Sequence, residues 1–282
     1  MPGRIQYSSP LRYPGGKEDL SVVVEKIIDQ NSLNNIEYAE PYAGGAGLAL
    51  HLLFDEYVSH IYLNDINPAI FAFWTTVLND TEQLCRNIRI TPITVEEWTR
   101  QREVITNPEK HSTTELGFAA FFLNRTNYSG IMEGGIIGGK DQNGVYKMDC
   151  RFKKESLIER ITRVAARKKD VSVTGLDAYD FIRTIINTNP NPCLSFLDPP
   201  YYQKGPKLYY NSYKPEDHVS LSNIVKLELK TPWIITYDDI PEINAMYTEF
   251  PTIGYEIDYS AAEKRRGREV MYCSPELDTL AS

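Results

Sequence analysis

Cysteine is scarce. The chain of 282 residues holds four (Cys85, Cys150, Cys193 and Cys273), none in a CxxC pair. That spacing offers neither a disulfide framework nor a zinc knuckle. Histidine is equally sparse, with His51, His60, His111 and His218 dispersed along the chain, so no metal site is expected. No apolar run approaches the roughly 20 residues that cross a bilayer, and no membrane association is expected. The opening MPGRIQYSSP lacks the basic-then-apolar layout of a secretory signal, which points to the cytoplasm. Positive charge is also short: 30 Lys and Arg against 38 Asp and Glu give a formal net charge of −8. That excludes coating of nucleic acid by bulk charge. It leaves room for a local basic patch, because phosphate contacts act within a Debye length of about 8–10 Å. Internal repeats and low-complexity tracts are absent.

What is present is alternation. Short apolar runs at 36–41, 60–64, 171–175, 193–198 and 233–237 read as buried strands, with EVMYC (269–273) as a late one. Helical stripes lie between them. Ala46, Ala49, Leu50, Leu53 and Tyr57 share one face. Ile70, Phe73, Trp74 and Val77 share another, after an Asn67 cap and Pro68. Leu157, Ile158, Ile161, Val164 and Ala165 form a third, and Leu221, Ile224 and Val225 follow Pro215. Strands alternating with helices predict an α/β fold with a mainly parallel sheet. The interval 81–165 breaks the pattern. It is helical at first, with a Ser112–Glu115 capping box, and then rich in glycine through NYSGIMEGGIIGG. It reads as an inserted subdomain within a domain made of 1–80 and 166–282. The aliphatic pairs Ile131–Met132 and Ile136–Ile137 predict that the glycine-rich stretch packs.

Three stretches carry chemistry. AEPYAGGAGLAL (39–50) follows the first strand and opens a helix, where glycines let the backbone turn and approach a ligand. The match to GxGxxG is imperfect, since Leu50 replaces the third glycine. Asp65 ends the second strand about twenty residues on, where an acid commonly binds ribose hydroxyls. LRYPGGK (11–17) resembles a phosphate loop in composition only, because no Ser or Thr follows Lys17. The third stretch is SFLDPPYYQKG (195–205). Prolines cannot extend a sheet ladder, so the strand must stop at Asp198 and hold its carboxylate at the strand end. An amino group on a nucleobase is a poor nucleophile because its lone pair enters the ring. Acceptors on both N–H bonds would turn that lone pair outward. Asp198 supplies one and the Pro199 carbonyl another. Pro200 stiffens the loop, and Tyr201 offers an aromatic face. D-P-P is also ordinary turn chemistry, but its place after a buried strand favours a site.

In order, LRYPGGK, EPYAGGAG, NDIN, LNRTNYSG and DPPYY resemble the motifs of the Dam-like class of N6-adenine DNA methyltransferases, and the resemblance runs through most of the chain. It implies a Rossmann-like sheet dependent on S-adenosyl-L-methionine, with an inserted target-recognition subdomain. It implies double-stranded DNA as partner, an adenine flipped out of the helix, and a cognate restriction endonuclease acting separately in a prokaryotic or phage-infected cell. Tyr13, Lys17, Glu40, Pro41, Gly44, Gly47, Asp65 and Asp177 would line the cofactor pocket, with Asp180 a rival to Asp177. Asp198, Pro199, Pro200 and Tyr201 would hold the target adenine, with Tyr201 stacking on it. Arg125, Asn127, Tyr128, Lys204 and Tyr210 would contact DNA, as would Arg265 and Arg266 in a basic loop before the last strand. QKGPKLYYNSYK (203–214) would be a lid. Members that read GATC carry an Arg and Asn pattern where YSGIMEGGIIGG stands, so the resemblance covers the reaction and not the recognised sequence. The alternatives are N4-cytosine or RNA adenine methylation, and a catalytically silent DNA-binding regulator. The intact acid, glycines and tyrosine argue against silence. Cys193 begins the strand that ends at Asp198, which argues against a cysteine nucleophile.

Overall fold

A computed structural model describes residues 8–13, 16–202, 213–259 and 265–279. In chain order the elements begin α1 (Ser21–Gln30), β1 (Ile36–Glu40), α2 (Gly47–Phe54), β2 (Val58–Asn64), α3 (Pro68–Asn79), α4 (Thr81–Ile90), α5 (Val95–Thr106), α6 (Thr113–Thr126) and α7 (Lys154–Ala166). They continue β3 (Val171–Thr174), α8 (Ala178–Phe181), β4 (Cys193–Leu197), α9 (Pro215–Leu227), β5 (Trp233–Asp238), α10 (Pro241–Met246), β6 (Thr252–Tyr259) and β7 (Arg265–Cys273). The chain divides into two compact units: Lys17–Ile66 with Asp170–Ser282, and Met1–Gly16 with Asn67–Lys169.

The first unit carries one seven-stranded sheet in the order β3-β2-β1-β4-β5-β7-β6. The β3 to β5 side is parallel, and β7 runs antiparallel to both β5 and β6. The chain builds outward from β1 in one direction and from β4 in the other. The crevice between the ends of β1 and β4 is therefore a topological switch point, where open α/β sheets bind ligands. Every residue of β4 and β5 is buried, as their mainly apolar runs require in a sheet covered on both faces. Leu221 and Ile224 of α9 pack there with Phe181, Ile235, Tyr237, Tyr247 and Tyr272. Each large side chain so buried contributes about 1.5–3 kcal/mol. The expected stripe on α2 is one turn too long. The helix ends at Phe54, Glu56 takes a left-handed φ of 61°, and Tyr57 lies beyond the turn.

The second unit is helical. Asn67 caps α3 by accepting the Ala69 N–H at 2.9 Å, with Pro68 in the first position. Ser112 and Glu115 form the expected capping box of α6. That helix is buried from Leu116 to Thr126, so it is the axis of the bundle. Gly117 permits its approach to α3, since a Cβ there would lie 2.5 Å from Thr76 Oγ1 and 2.7 Å from the Ala72 carbonyl. Phe73 stacks on Phe121 at 5.9 Å, and Phe152 meets Phe121 and Phe122 at 5.4 Å each. Met132, Ile136 and Ile137 are buried, so the glycine-rich stretch packs as its aliphatic residues predict.

Candidate active site

Three strand ends of the sheet unit are tied together by one side chain that the sequence reading did not single out. Asn64, the last residue of β2, is fully buried. Its Nδ2 donates to the carbonyls of Pro41 and Leu176, both at 3.0 Å. Its Oδ1 accepts from the Leu176 N–H at 2.9 Å and from the Thr174 hydroxyl at 2.7 Å. The loops after β1 and β3 are thereby fixed to β2. The buried asparagine of NDIN was the available signal.

The turn after β1 is tight. Gly44 and Ala46 adopt φ of 46° and 48°, a left-handed pair that glycine accepts freely and alanine does not. Asp65 reaches back across it, with Oδ2 accepting the Gly44 N–H at 2.9 Å. Glu40 lies beneath, where Oε1 accepts from Tyr38 Oη at 3.2 Å and from the Ala49 N–H at 3.1 Å. Burial pushes the Glu40 carboxyl up to about 8, against the lowering effect of these two hydrogen bonds. Asp177 caps α8 by accepting the Tyr179 N–H at 2.9 Å, and Asp180 is exposed.

Beside this turn, at the end of β4, stands Asp198. Thr236 on β5 donates to its Oδ1 at 2.8 Å, and Lys17 Nζ lies 3.0 Å from the same oxygen. Lys17 also lies 3.3 Å from Glu269 on β7 and donates to Tyr201 Oη at 2.5 Å. Tyr201 in turn donates to Glu269 at 2.5 Å, and Tyr255 of β6 donates to the second Glu269 oxygen at 2.7 Å. One ammonium thus bridges two carboxylates, as buried charge requires. The side chain of Asp198 is 25% exposed, against 4% for Lys17 and none for Glu269. Only the aspartate is presented outward. Burial, reinforced by Glu269 and opposed by Lys17 and Thr236, raises its pKa above the ordinary carboxylate range. Glu269 escaped sequence reasoning because its partner Tyr201 lies far off in the chain, and Tyr255 escaped with it because it acts through Glu269.

The sequence profile described as D12 class N6 adenine-specific DNA methyltransferase matches residues 13–261. The chain belongs to this family. It is an adenine-specific DNA methyltransferase that takes its methyl group from S-adenosyl-L-methionine. Among curated proteins it is similar to the type II methyltransferase M.CviBI of Paramecium bursaria Chlorella virus NC1A, with 23% identity over 257 residues, covering 88% of this chain and 90% of that protein. Among solved structures it is similar to a "putative RNA methyltransferase" from Pyrococcus horikoshii, with a TM-score of 0.43 and 10% identity, covering 96% of this chain and 88% of that one.

The structure distributes the remaining sequence-derived residues of the methyltransferase unevenly. Pro41, Pro199 and Pro200 are buried, and Gly47 opens α2. Tyr13 is half-buried, and its carbonyl accepts the Gly16 N–H at 3.1 Å. Tyr201 was expected to offer an open stacking face. Its ring is 2% exposed and its hydroxyl is held by Lys17 and Glu269, so it anchors the DPPY peptide to β7. Asn127 was expected at the DNA surface. It is fully buried, accepts Trp98 Nε1–H at 2.6 Å, and donates to the carbonyls of Ile131 and Met132 at 2.9 Å each. Its amide is spent shaping the loop. Tyr128 beside it is 58% exposed. Arg265 and Arg266 were placed in a loop; their backbones belong to β7, paired with Tyr259 and Asp258 of β6. Lys204, Tyr210 and most of the expected lid lie outside the described residues. Cys193 is buried at the start of β4, and burial pushes its thiol up to about 12, as unfit for a nucleophile as the sequence implied.

Proposed function

We propose that the methyltransferase acts on an adenine rotated out of duplex DNA, with Asp198 as the group that grips and deprotonates its amino nitrogen. A stacked, paired N6 is out of reach, and extrusion costs a few kcal/mol. The observation that supports this reading most is that Asp198 is the outward member of the Lys17–Asp198–Glu269 cluster, at the switch point beside the glycine turn. S-adenosyl-L-methionine would supply an electrophilic methyl group when bound, its S–CH3 bond breaking as the methyl group leaves and the neutral thioether S-adenosyl-L-homocysteine remaining. Asp198 accepts one N6 hydrogen bond and the Pro199 carbonyl accepts the other, which turns the nitrogen lone pair outward. As the new N–C bond forms, N6 gives up a proton, and Asp198, whose proton affinity burial has raised, is its first acceptor. Lys17 keeps the carboxylate in place, and Tyr201 acts as a positioning residue through Glu269.

The residues at the other strand ends fit the cofactor chemically. A carboxylate has about four acceptor sites, so Asp65 can hold the Gly44 N–H and still accept from ribose hydroxyls. Asp177 is our assignment for the adenine end, and Glu40 with Gly44 and Gly47 for the methionine end, with Tyr13, Lys17 and Pro41 bordering the pocket. The helical unit, including the expected insertion 81–165, is our assignment for target recognition, with Tyr128 on its exposed surface. The similarity to a type II methyltransferase supports a DNA-modifying role; its setting in the cytoplasm and its pairing with a separate restriction endonuclease are our inference from the motif resemblance. The test is transfer of labelled methyl groups to DNA, followed by nuclease digestion. The label should appear in N6-methyl-2′-deoxyadenosine; label in a cytosine nucleoside defeats the assignment. DNA so treated should also resist one sequence-specific nuclease, and general susceptibility contradicts the restriction pairing.

A further inference from the structure

Histidine is dispersed along the chain, yet the fold gathers one with two acids in the sheet unit, away from the DPPY peptide. His51 lies in the last turn of α2, and Asp55 directly follows that helix. At i,i+4 spacing the two share one face. Glu25 comes from α1, 26 positions from His51. Nε2 of His51 stands 2.5 Å from Glu25 Oε1 and 3.6 Å from Asp55 Oδ2. The three ligand atoms all lie within 4.8 Å of one another. Bonds of about 2.0–2.2 Å to a tetrahedral ion set its ligand atoms about 3.3 Å apart. That value falls between the two distances to Nε2, so small side-chain adjustments would admit an ion.

The surrounding charge favours a cation. Among the described residues, neither Glu25 nor Asp55 pairs with a lysine or an arginine; each meets His51 instead. The Tyr57 hydroxyl has its pKa raised, first by Glu25 and also by Asp29 and Asp55, so a third carboxylate contributes to the same field. The carboxyl end of α2 adds partial negative charge. One imidazole, even protonated, supplies a single positive charge against all of these. The group is reachable as well. The side chains of Glu25, His51 and Asp55 are 20%, 21% and 52% exposed, so an ion can enter and keep water in its remaining positions.

We propose that Glu25, His51 and Asp55 form a site for one divalent first-row transition-metal ion of the zinc type, which staples α1 to α2. A mixed imidazole and carboxylate set suits zinc and its neighbours, whereas magnesium and calcium prefer oxygen alone. The same two helices also meet near the glycine turn. Lys17 and Glu18 lie in the short helical turn that leads into α1, and α2 opens at Gly47. A Cβ on Gly47 would stand 3.0 Å from Glu18 Oε2. The ion would therefore fasten, further along, the two helices whose beginnings carry Lys17 and the glycine turn. It takes no part in methyl transfer. To bind it, Nε2 gives up the proton it shares with Glu25, so protons and metal compete for the site.

The test titrates zinc chloride into the chelator-treated full chain by calorimetry, and measures melting temperature with and without the ion. Wild type, His51→Gln and Asp55→Asn are compared. Wild type should bind one equivalent and melt at a higher temperature with zinc. His51→Gln should weaken binding at least about tenfold, since even groups one step behind a metal ligand cost that much. It should also abolish the zinc-dependent rise in melting. Acidification should weaken binding to wild type, and magnesium chloride at the same concentration should not displace zinc. Absence of binding by wild type overturns the proposal. So does unchanged binding by His51→Gln, because the ion then sits elsewhere. A lower metal-free melting temperature in His51→Gln, with no effect of zinc on wild type, marks a plain His51–Glu25 ion pair and also overturns it. If His51→Gln does not fold, Asp55→Asn, at an exposed position, decides by the same affinity.

Discussion

In the sheet unit Lys17 stands 3.0 Å from Asp198 and 3.3 Å from Glu269, so one buried cation serves two carboxylates. In the helical unit Arg125 is equally buried, and the charges acting on it, those of Arg160, Arg12 and Arg151, share its sign. The first arrangement is complete within the protein and can hold a carboxylate still while a proton arrives. The second leaves a buried guanidinium among charges of its own sign. The same division separates the hydrogen bonding. Asn64 satisfies its amide within the site, while the Nε atoms of Arg125 and Arg160 are left without partners.

The contrast is broken most severely at Lys17. Lys17→Met leaves Asp198 and Glu269 without their shared cation, and breaking a buried pair from one side costs about 3–5 kcal/mol. Denaturant unfolding should show that loss, and the double variant Lys17→Met, Glu269→Gln should recover part of it. A Lys17→Met protein of native stability would show that the network is not closed. Asn64→Ala comes next. It strands several polar groups at about 1–3 kcal/mol for each left unsatisfied. Thermal unfolding should fall, and S-adenosyl-L-methionine affinity should fall with it, because the loops after β1 and β3 lose their tie. Unaltered cofactor affinity would remove Asn64 from the site. In the helical unit Gly117→Ala should cost about 1–3 kcal/mol, the usual penalty of overpacking, since the new methyl meets Thr76 and the Ala72 carbonyl. Native stability of that variant would show that α3 and α6 have room to separate.

The last comparison concerns a proton rather than a contact. Glu40 in the folded protein releases its proton near pH 8, whereas an unfolded glutamate does so near about 4.3. Between those values the folded state holds a proton that the unfolded chain has lost, so stability falls as pH rises through this window. Glu40→Gln removes the titrating group and should flatten that part of the stability–pH curve. A curve of unchanged slope would assign the dependence to another residue.

The sheet was legible because β4 and β5 are short, mainly apolar runs between turn residues, which is how strands buried on both faces appear. β6 was not. Its residues alternate between half-buried and exposed through Glu256, so no apolar run marks them. α1 was missed because VVV near its start favours strand. At the site, DPPY and the glycine turn were visible because proline and glycine force local geometry. The burial of Tyr201 was not visible, because it depends on Glu269, 68 positions later, on a strand that runs against its neighbours. Asn127 was misplaced for a related reason. Its motif marks the loop, and whether the side chain faces out or in is decided by Trp98, on a different helix.

The central claim is that Asp198, held outward by Thr236 and Lys17, carries the chemistry on the target amino group. Asp198→Ala tests it most directly, because Lys17 still has Glu269 as a partner and no buried cation is left unpaired. Labelled methyl transfer to DNA and S-adenosyl-L-methionine binding by calorimetry should be measured on the same preparation. The account predicts transfer reduced by at least about 10²–10³-fold, the usual cost of losing a group aimed at developing charge, with cofactor binding largely intact. Near-normal transfer by this variant would contradict it.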